Sequence, residues 1–287
     1  MRVLLVYMFA SLLLSDTCNF RRDDEDTAAL ESDCVVYDAG SQTYNVKVVF
    51  NLVLPDAESS KWDTIIHEEM NILNCYFNRI DTDAEIKGIH FSLDEVRRKS
   101  TGTEFEFFGE ERLSSKFKLN EVKSNLSGIE AKDPNKYINI WICVMNGDYN
   151  GFAFLPEQLQ RNGGCVKDEL DGIVIDFKSF GTNSAGKYRK TIVHEMGHYF
   201  GLKHPTEDAY EQQDIQSRIC EMSITKGDGI DDTRDYTKAE WDELVNRLKN
   251  ITDYSYKCNP EERNHMIQGT PTHCQKEFTE MQVETVH

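Results

Sequence analysis

Residues 44–54 (Tyr-Asn-Val-Lys-Val-Val-Phe-Asn-Leu-Val-Leu) are β-branched, partly alternating between apolar and polar, and halted at Pro55, which predicts a strand. The period then changes. Trp62, Ile65, Ile66, Met70, Leu73 and Phe77 recur at helical spacing, which predicts a helix over 62–77 packed on that strand. A short second strand is expected at 88–93 (Gly-Ile-His-Phe-Ser-Leu). Residues 104–136 are polar and without a clear period, open to reading as a helix or as an insertion. The run 137–144 (Tyr-Ile-Asn-Ile-Trp-Ile-Cys-Val) predicts a buried strand, 151–156 (Gly-Phe-Ala-Phe-Leu-Pro) an edge strand stopped by proline, and 172–176 (Gly-Ile-Val-Ile-Asp) a further strand. A helix is expected over 187–200, with Asn183 or Ser184 as its cap. Beyond residue 204 the pattern thins. Trp241, Leu244, Val245 and Leu248 predict a helix over 238–249, and 278–283 a short closing one. Strands and helices before residue 204, then loops, cysteines and a helix after it, describe an α+β chain of two lobes.

The first residues have a different character. Met1-Arg2 is followed by an apolar run over 3–14, so 1–18 reads as a secretory signal peptide, too short to span a bilayer. Residues 19–43, with Arg21-Arg22-Asp23-Asp24-Glu25-Asp26, read as an acidic linker or short propeptide. The remainder, 44–287, is expected to form one domain that divides into 44–201 and 202–287. Fifty acidic against thirty-two basic residues give a formal charge of −18, a field that repels nucleic acid and anionic membrane. Neither partner is expected, and the chain is expected to be a secreted, extracellular monomer.

The eight cysteines include no CxxC pair, which argues against a structural zinc knuckle or a thioredoxin-like redox site. Behind a signal peptide several are expected in disulfides. Cys34, ahead of the first strand, reads either as a zymogen thiolate for an open metal position or as a plain disulfide partner. Asn125-Leu126-Ser127 and Asn250-Ile251-Thr252 are N-glycosylation acceptor patterns.

The chemistry is concentrated in His194-Glu195-Met196-Gly197-His198-Tyr199-Phe200-Gly201-Leu202-Lys203-His204. Residues four apart share a helix face, so His194 and His198 can offer neutral nitrogens to one cation. Gly201 permits the left-handed backbone that ends a helix, after which His204 can supply a third ligand. Three protein ligands leave a fourth position open, which is the arrangement of a catalytic rather than a structural zinc. Glu195 stands beside the ligands as candidate general base.

With this motif the chain resembles the pappalysin (cytophagalysin) family of metzincin zinc metallopeptidases. The resemblance runs over most of 44–283 and is strongest over 137–204. It includes the strand at 137–143, the 151–156 segment, Asp171-Gly172-Ile173-Val174-Ile175 and Phe180-Gly181. Gly227-Asp228-Gly229-Ile230-Asp231-Asp232-Thr233 resembles the family's acidic loop, and Asn264-His265-Met266 its Met-turn. Cys274, Phe278-Thr279 and Gln282 match its closing segment. The resemblance implies an α+β, zincin-like fold: a mixed, mostly parallel five-stranded sheet with the zinc-binding helix, then an irregular C-terminal subdomain. Met266 would form an apolar floor under the metal without ligating it. The resemblance also implies a Cys220–Cys258 disulfide and a calcium site at Asp228 and Thr233. Three positions depart from the family pattern: Gln268 replaces a tyrosine, Arg234 replaces a proline, and 235–250 lacks the usual partner of Cys274.

The expected function is a secreted zinc endopeptidase acting on protein or peptide substrates, with Glu195 as general base. Gly151, Phe152, Ala153 and Phe154 read either as an edge strand that binds substrate main chain or as ordinary core. The rival reading is a secreted binding protein with little or no turnover on the same scaffold. A closed structural zinc would need a fourth ligand, for which His265 and His273 are the candidates.

Overall fold

The computed structural model describes residues 44–77, 88–106, 118–147, 149–182 and 189–205. Beyond these it describes Ile230, Thr233, Arg234, 236–249, Ile251, 257–259, Glu262, Asn264, Met266, Phe278 and Gln282. All of the described residues fall within one unit. The expected signal peptide, the linker, Cys34 and Asn250 lie outside the described residues.

The elements run β1 (Tyr44–Leu54), α1 (Lys61–Phe77), β2 (Ile89–Ser100), β3 (Glu104–Glu106), β4 (Ile138–Asn146), β5 (Gly151–Ala153), β6 (Ile173–Asp176), α2 (Thr191–Tyr199) and α3 (Lys238–Lys249). The main sheet has the order β2-β1-β4-β6-β5, and β3 pairs with the end of β4. Every pairing is parallel except β5 with β6. The mixed, mostly parallel sheet that the resemblance implies is therefore present.

β1 and β4 hold the centre because their side chains are apolar toward both faces, as strands covered on two sides require. Val48, Phe50, Leu52, Ile140, Ile142, Ile173 and Ile175 join one core with Ile66, Met70, Leu73 and Phe77 of α1 and Ile192, Val193 and Met196 of α2. Val53, Trp141, Cys143 and Val174 join a second core with Phe105, Val122, Phe152 and Phe154. Each sheet face thus has its own cover. The two central asparagines are not stranded polar groups. Asn51 Nδ2 donates to Asn139 Oδ1 at 3.4 Å, and Arg97 donates to Asn51 Oδ1 at 3.2 Å.

β2 is longer than the pattern indicated. Its second half, Asp94 to Ser100, is charged and carries no strand pattern, yet it pairs with β1 up to Leu54 across a bulge at Val48/Val49. An edge strand needs only one apolar face, and here the polar side chains find partners. Arg97 donates to Glu130 O at 2.6 Å, Lys132 bonds Asp94 at 2.6 Å, and Lys99 donates to Gly128 O at 3.0 Å. The unassigned stretch 104–136 contains β3 and a 3₁₀ turn, Lys118–Lys123, and no α-helix among its described residues. α1 and α3 span the ranges their spacing predicts to within a residue. Trp241, Leu244, Val245 and Leu248 of α3 are buried together with Tyr236. No helix among the described residues is long and apolar enough to cross a membrane.

Candidate metal centre

α2 begins at Thr191 rather than near 187, with Lys190 in a non-helical conformation at φ −69° and ψ 29°. Packing from α1 explains the late start: Lys190 is buried with its ammonium 4.8 Å from the centre of the Tyr76 ring. The chain before it is tied back, since Arg189 N donates to Gly181 O at 3.0 Å. The expected caps Asn183 and Ser184 lie outside the described residues.

The helix ends in a Schellman turn. Gly201, at φ +101°, donates to His198 O at 2.9 Å, and Leu202 N donates to Gly197 O at 2.9 Å. This turn returns the chain towards the helix it has just left. His204 Nε2 consequently lies 3.1 Å from His194 Nε2 and 3.0 Å from His198 Nε2. These are the three residues that form a metal-capable cluster among those described.

The donor set fits zinc. Tetrahedral coordination at ordinary Zn–N lengths separates ligand nitrogens by about 3.4 Å, close to the spacing found. The tautomer is also correct. His198 Nδ1 donates to Leu202 O at 2.7 Å, which leaves its Nε2 lone pair facing the other two rings. Burial holds two of the rings neutral: His198 is pushed down to about 3, with His194 adding repulsion, and His204 falls well below the usual imidazole value.

Glu195 is 5% exposed, and burial raises its carboxyl to about 8. A divalent cation beside it would favour the carboxylate form again. Its side chain packs on β5: a Cβ built on Gly151 would stand 2.8 Å from Glu195 Oε1 and Cγ. β5 is the terminal strand of the sheet order and runs antiparallel to β6, with Gly151 opposite Ile175. Phe152 and Ala153 are buried, and Phe154 lies past the end of the strand, its ring 4.8 Å from that of Phe152.

Met266 is fully buried, and its main-chain N–H is held by Asn264 Oδ1 at 2.9 Å. A Cβ on Gly197 would stand 2.6 Å from Met266 Sδ and 3.4 Å from Phe278. The glycine between the two helical histidines thus admits the methionine against the helix backbone. Trp241 of α3 lies behind the third histidine, with its ring 6.2 Å from that of His204 and tilted 35°.

Of the other candidates, Thr233 is half-buried and its hydroxyl donates to Ile230 O at 2.9 Å. Asp228, Cys220, His265, Gln268, His273 and Cys274 lie outside the described residues; Cys258 is half-buried. Sequence reasoning missed the approach of Gly151 to Glu195 and the backing of His204 by Trp241. Both are long-range contacts with no local period to reveal them.

Residues 123–287 match the model of the peptidase M43 family, described as pregnancy-associated plasma protein-A. Among solved structures, the chain is similar to mature mirolysin of Tannerella forsythia in complex with a cleaved peptide. That match has a TM-score of 0.57 and 26% identity, over 86% of this chain and 91% of that one. Mirolysin in complex with compound 9 matches with a TM-score of 0.55 and 25% identity, over the same 86% and 91%. The chain is also 26% identical over 227 residues to uncharacterized protein R722 of Acanthamoeba polyphaga mimivirus, covering 62% of this chain. The matched segment spans only 25% of that viral protein's length.

Proposed function

Because the chain belongs to the peptidase M43 family of zinc metallopeptidases, we propose that it is a zinc-dependent endopeptidase. His194, His198 and His204 hold the metal, and Glu195 serves as general base. The observation that carries this reading is the convergence of three imidazole nitrogens, with His204 Nε2 3.0–3.1 Å from the other two, on one helix and its exit turn. Zinc held there supplies Lewis acidity, polarising a carbonyl and acidifying water.

The protein's own groups do the rest. Glu195 takes a proton at its carboxylate from the attacking water and returns it to the leaving amine. Its buried position keeps bulk solvent from competing for that proton. β5, at the end of the sheet, aligns the substrate main chain by strand addition, with Gly151 to Phe154 as the platform. Met266, beneath Gly197, keeps the helix and its two histidines from settling. The cleaved peptide in the mirolysin complex supports a peptide as substrate.

Secretion is part of the proposal. It is supported by the apolar run at 3–14 and by Cys75, Cys165 and Cys258, which are disulfide-bonded. Asn125 is exposed on a turn beside Leu126, which suits glycan attachment.

The test is Glu195→Ala. The variant is expected to keep one zinc per chain by elemental analysis and to lose hydrolysis of a denatured protein substrate by several orders of magnitude. Wild-type turnover in the variant, or turnover that survives exhaustive chelation, would overturn the reading.

A further inference from the structure

Gly151 has no backbone reason to be glycine. The left-handed glycines among the described residues are 147, 163, 172, 181 and 201, and Gly151 is not one of them. Its main chain accepts any L-residue, and only the space for a side chain is missing. A Cβ placed there would meet Glu195 Oε1 and Cγ at 2.8 Å and Cδ at 3.0 Å, closer than real Cβ atoms come. The atoms in the way belong to the carboxylate already assigned the proton-transfer role.

Neither backbone can retreat to make room. The strand is tied on its far side: Asp176 N donates to Asn150 O at 2.9 Å, Ser179 Oγ donates to Asn150 Oδ1 at 2.6 Å, and Gly151 is in register with Ile175. Behind α2, Met266 Sδ lies 2.6 Å from where a Gly197 Cβ would sit, so the helix has little slack in that direction. A side chain at 151 must therefore displace Glu195 itself.

We propose that Gly151 is a positioning residue for Glu195: the bare main chain of the edge strand forms the wall against which the carboxylate rests and so sets where it meets the reacting water. This rests on the reading of Glu195 as general base. It differs from the platform role of the strand, because a platform residue governs substrate affinity whereas a wall for the base governs turnover.

The experiment combines G151A with Glu195→Ala on the full-length, zinc-loaded protein. Truncating the side chain at 195 to its Cβ removes all three obstructing atoms, so the effect of G151A should depend on which residue stands there. G151A alone is expected to keep its zinc, to lower Tm by about 3–6 °C, and to reduce kcat about 100-fold with KM nearly unchanged. Beside Glu195→Ala the same substitution should shift Tm by under about 1 °C.

An equal fall in Tm in both backgrounds would overturn the proposal, and so would a raised KM with kcat intact. Should G151A fail to fold, recovery of folding in the G151A/Glu195→Ala pair supports the proposal, and failure of both overturns it. The Tm cycle needs no activity. If the wild-type chain cleaves nothing, the functional reading fails while the packing claim is still decided.

Discussion

Glu69 of α1 is a carboxyl with no exposed surface in the apolar core. One oxygen accepts the Gly181 N–H at 2.7 Å, and the other, Oε2, has no partner among the described residues. Burial raises its pKa from 4.5 to about 8, against the lowering effect of the Gly181 hydrogen bond. The folded chain therefore holds this proton through neutrality, whereas the unfolded chain releases it near 4.5. The stabilising contribution is full below pH 4.5, declines as pH rises, and is lost above about 8. The interval corresponds to up to about 5 kcal/mol, at about 1.4 kcal/mol per pH unit. Glu69→Gln copies the protonated form and keeps the acceptor for Gly181. Urea unfolding of both proteins between pH 5 and 9 should give nearly matched midpoints at pH 5. The variant should then draw ahead steadily, reaching an advantage of about 2 M near pH 8. Subtracting the two profiles cancels every other titrating group, Glu195 included. A gap independent of pH, or a variant weaker throughout, would refute the claim that Glu69 is held protonated. Gly181 accepts from Arg189 just before α2, so wild-type loss of zinc should also accelerate above pH 8 while that of the variant does not.

Other perturbations test the surroundings of the metal centre. Gly201→Ala forces a side chain into the left-handed region and should cost about 1–2 kcal/mol, seen as a lower Tm and faster zinc release to a chelator. An unchanged melting curve would discount the turn. Met266→Ala empties a fully buried site and should destabilise by about 2–5 kcal/mol in denaturant titration. Its zinc stoichiometry should remain one, since no ligand is lost, and a metal-free variant would count against the floor role. Trp241→Ala should release zinc about tenfold faster by freeing His204, and indole emission of the wild type should change on metal loading. A release rate equal to wild type would make Trp241 mere core.

The metal ligands were readable from sequence because their geometry is local: eleven consecutive residues carry a helix, its stop signal and the returning histidine. Alternation and helical spacing likewise exposed β1, β4, α1 and α3, whose burial is one-sided or complete. What escaped had mixed causes. The second half of β2 is a strand by virtue of its partner, and its charged side chains disguise it. The start of α2 was misplaced because Lys190 is drawn onto Tyr76, a tertiary contact that overrides the local helical preference. Glu69 reads as one more polar helix residue until its bond to Gly181, 112 positions away, places it inside. Gly151 reads as an ordinary strand start. Its meaning depends on a side chain that only folding brings near.

The acceptor that orients His198 is the carbonyl of Leu202, a main-chain atom. Many metal proteins assign this duty to a carboxylate, which a point mutation can delete and acid can neutralise. A peptide oxygen has neither weakness. The choice of coordinating nitrogen is thus written into the fold of the turn and insulated from drift at position 202. There, substitutions should be screened for how they fill the apolar interior, and the imidazole's handedness toward the ion should survive all that keep the bend.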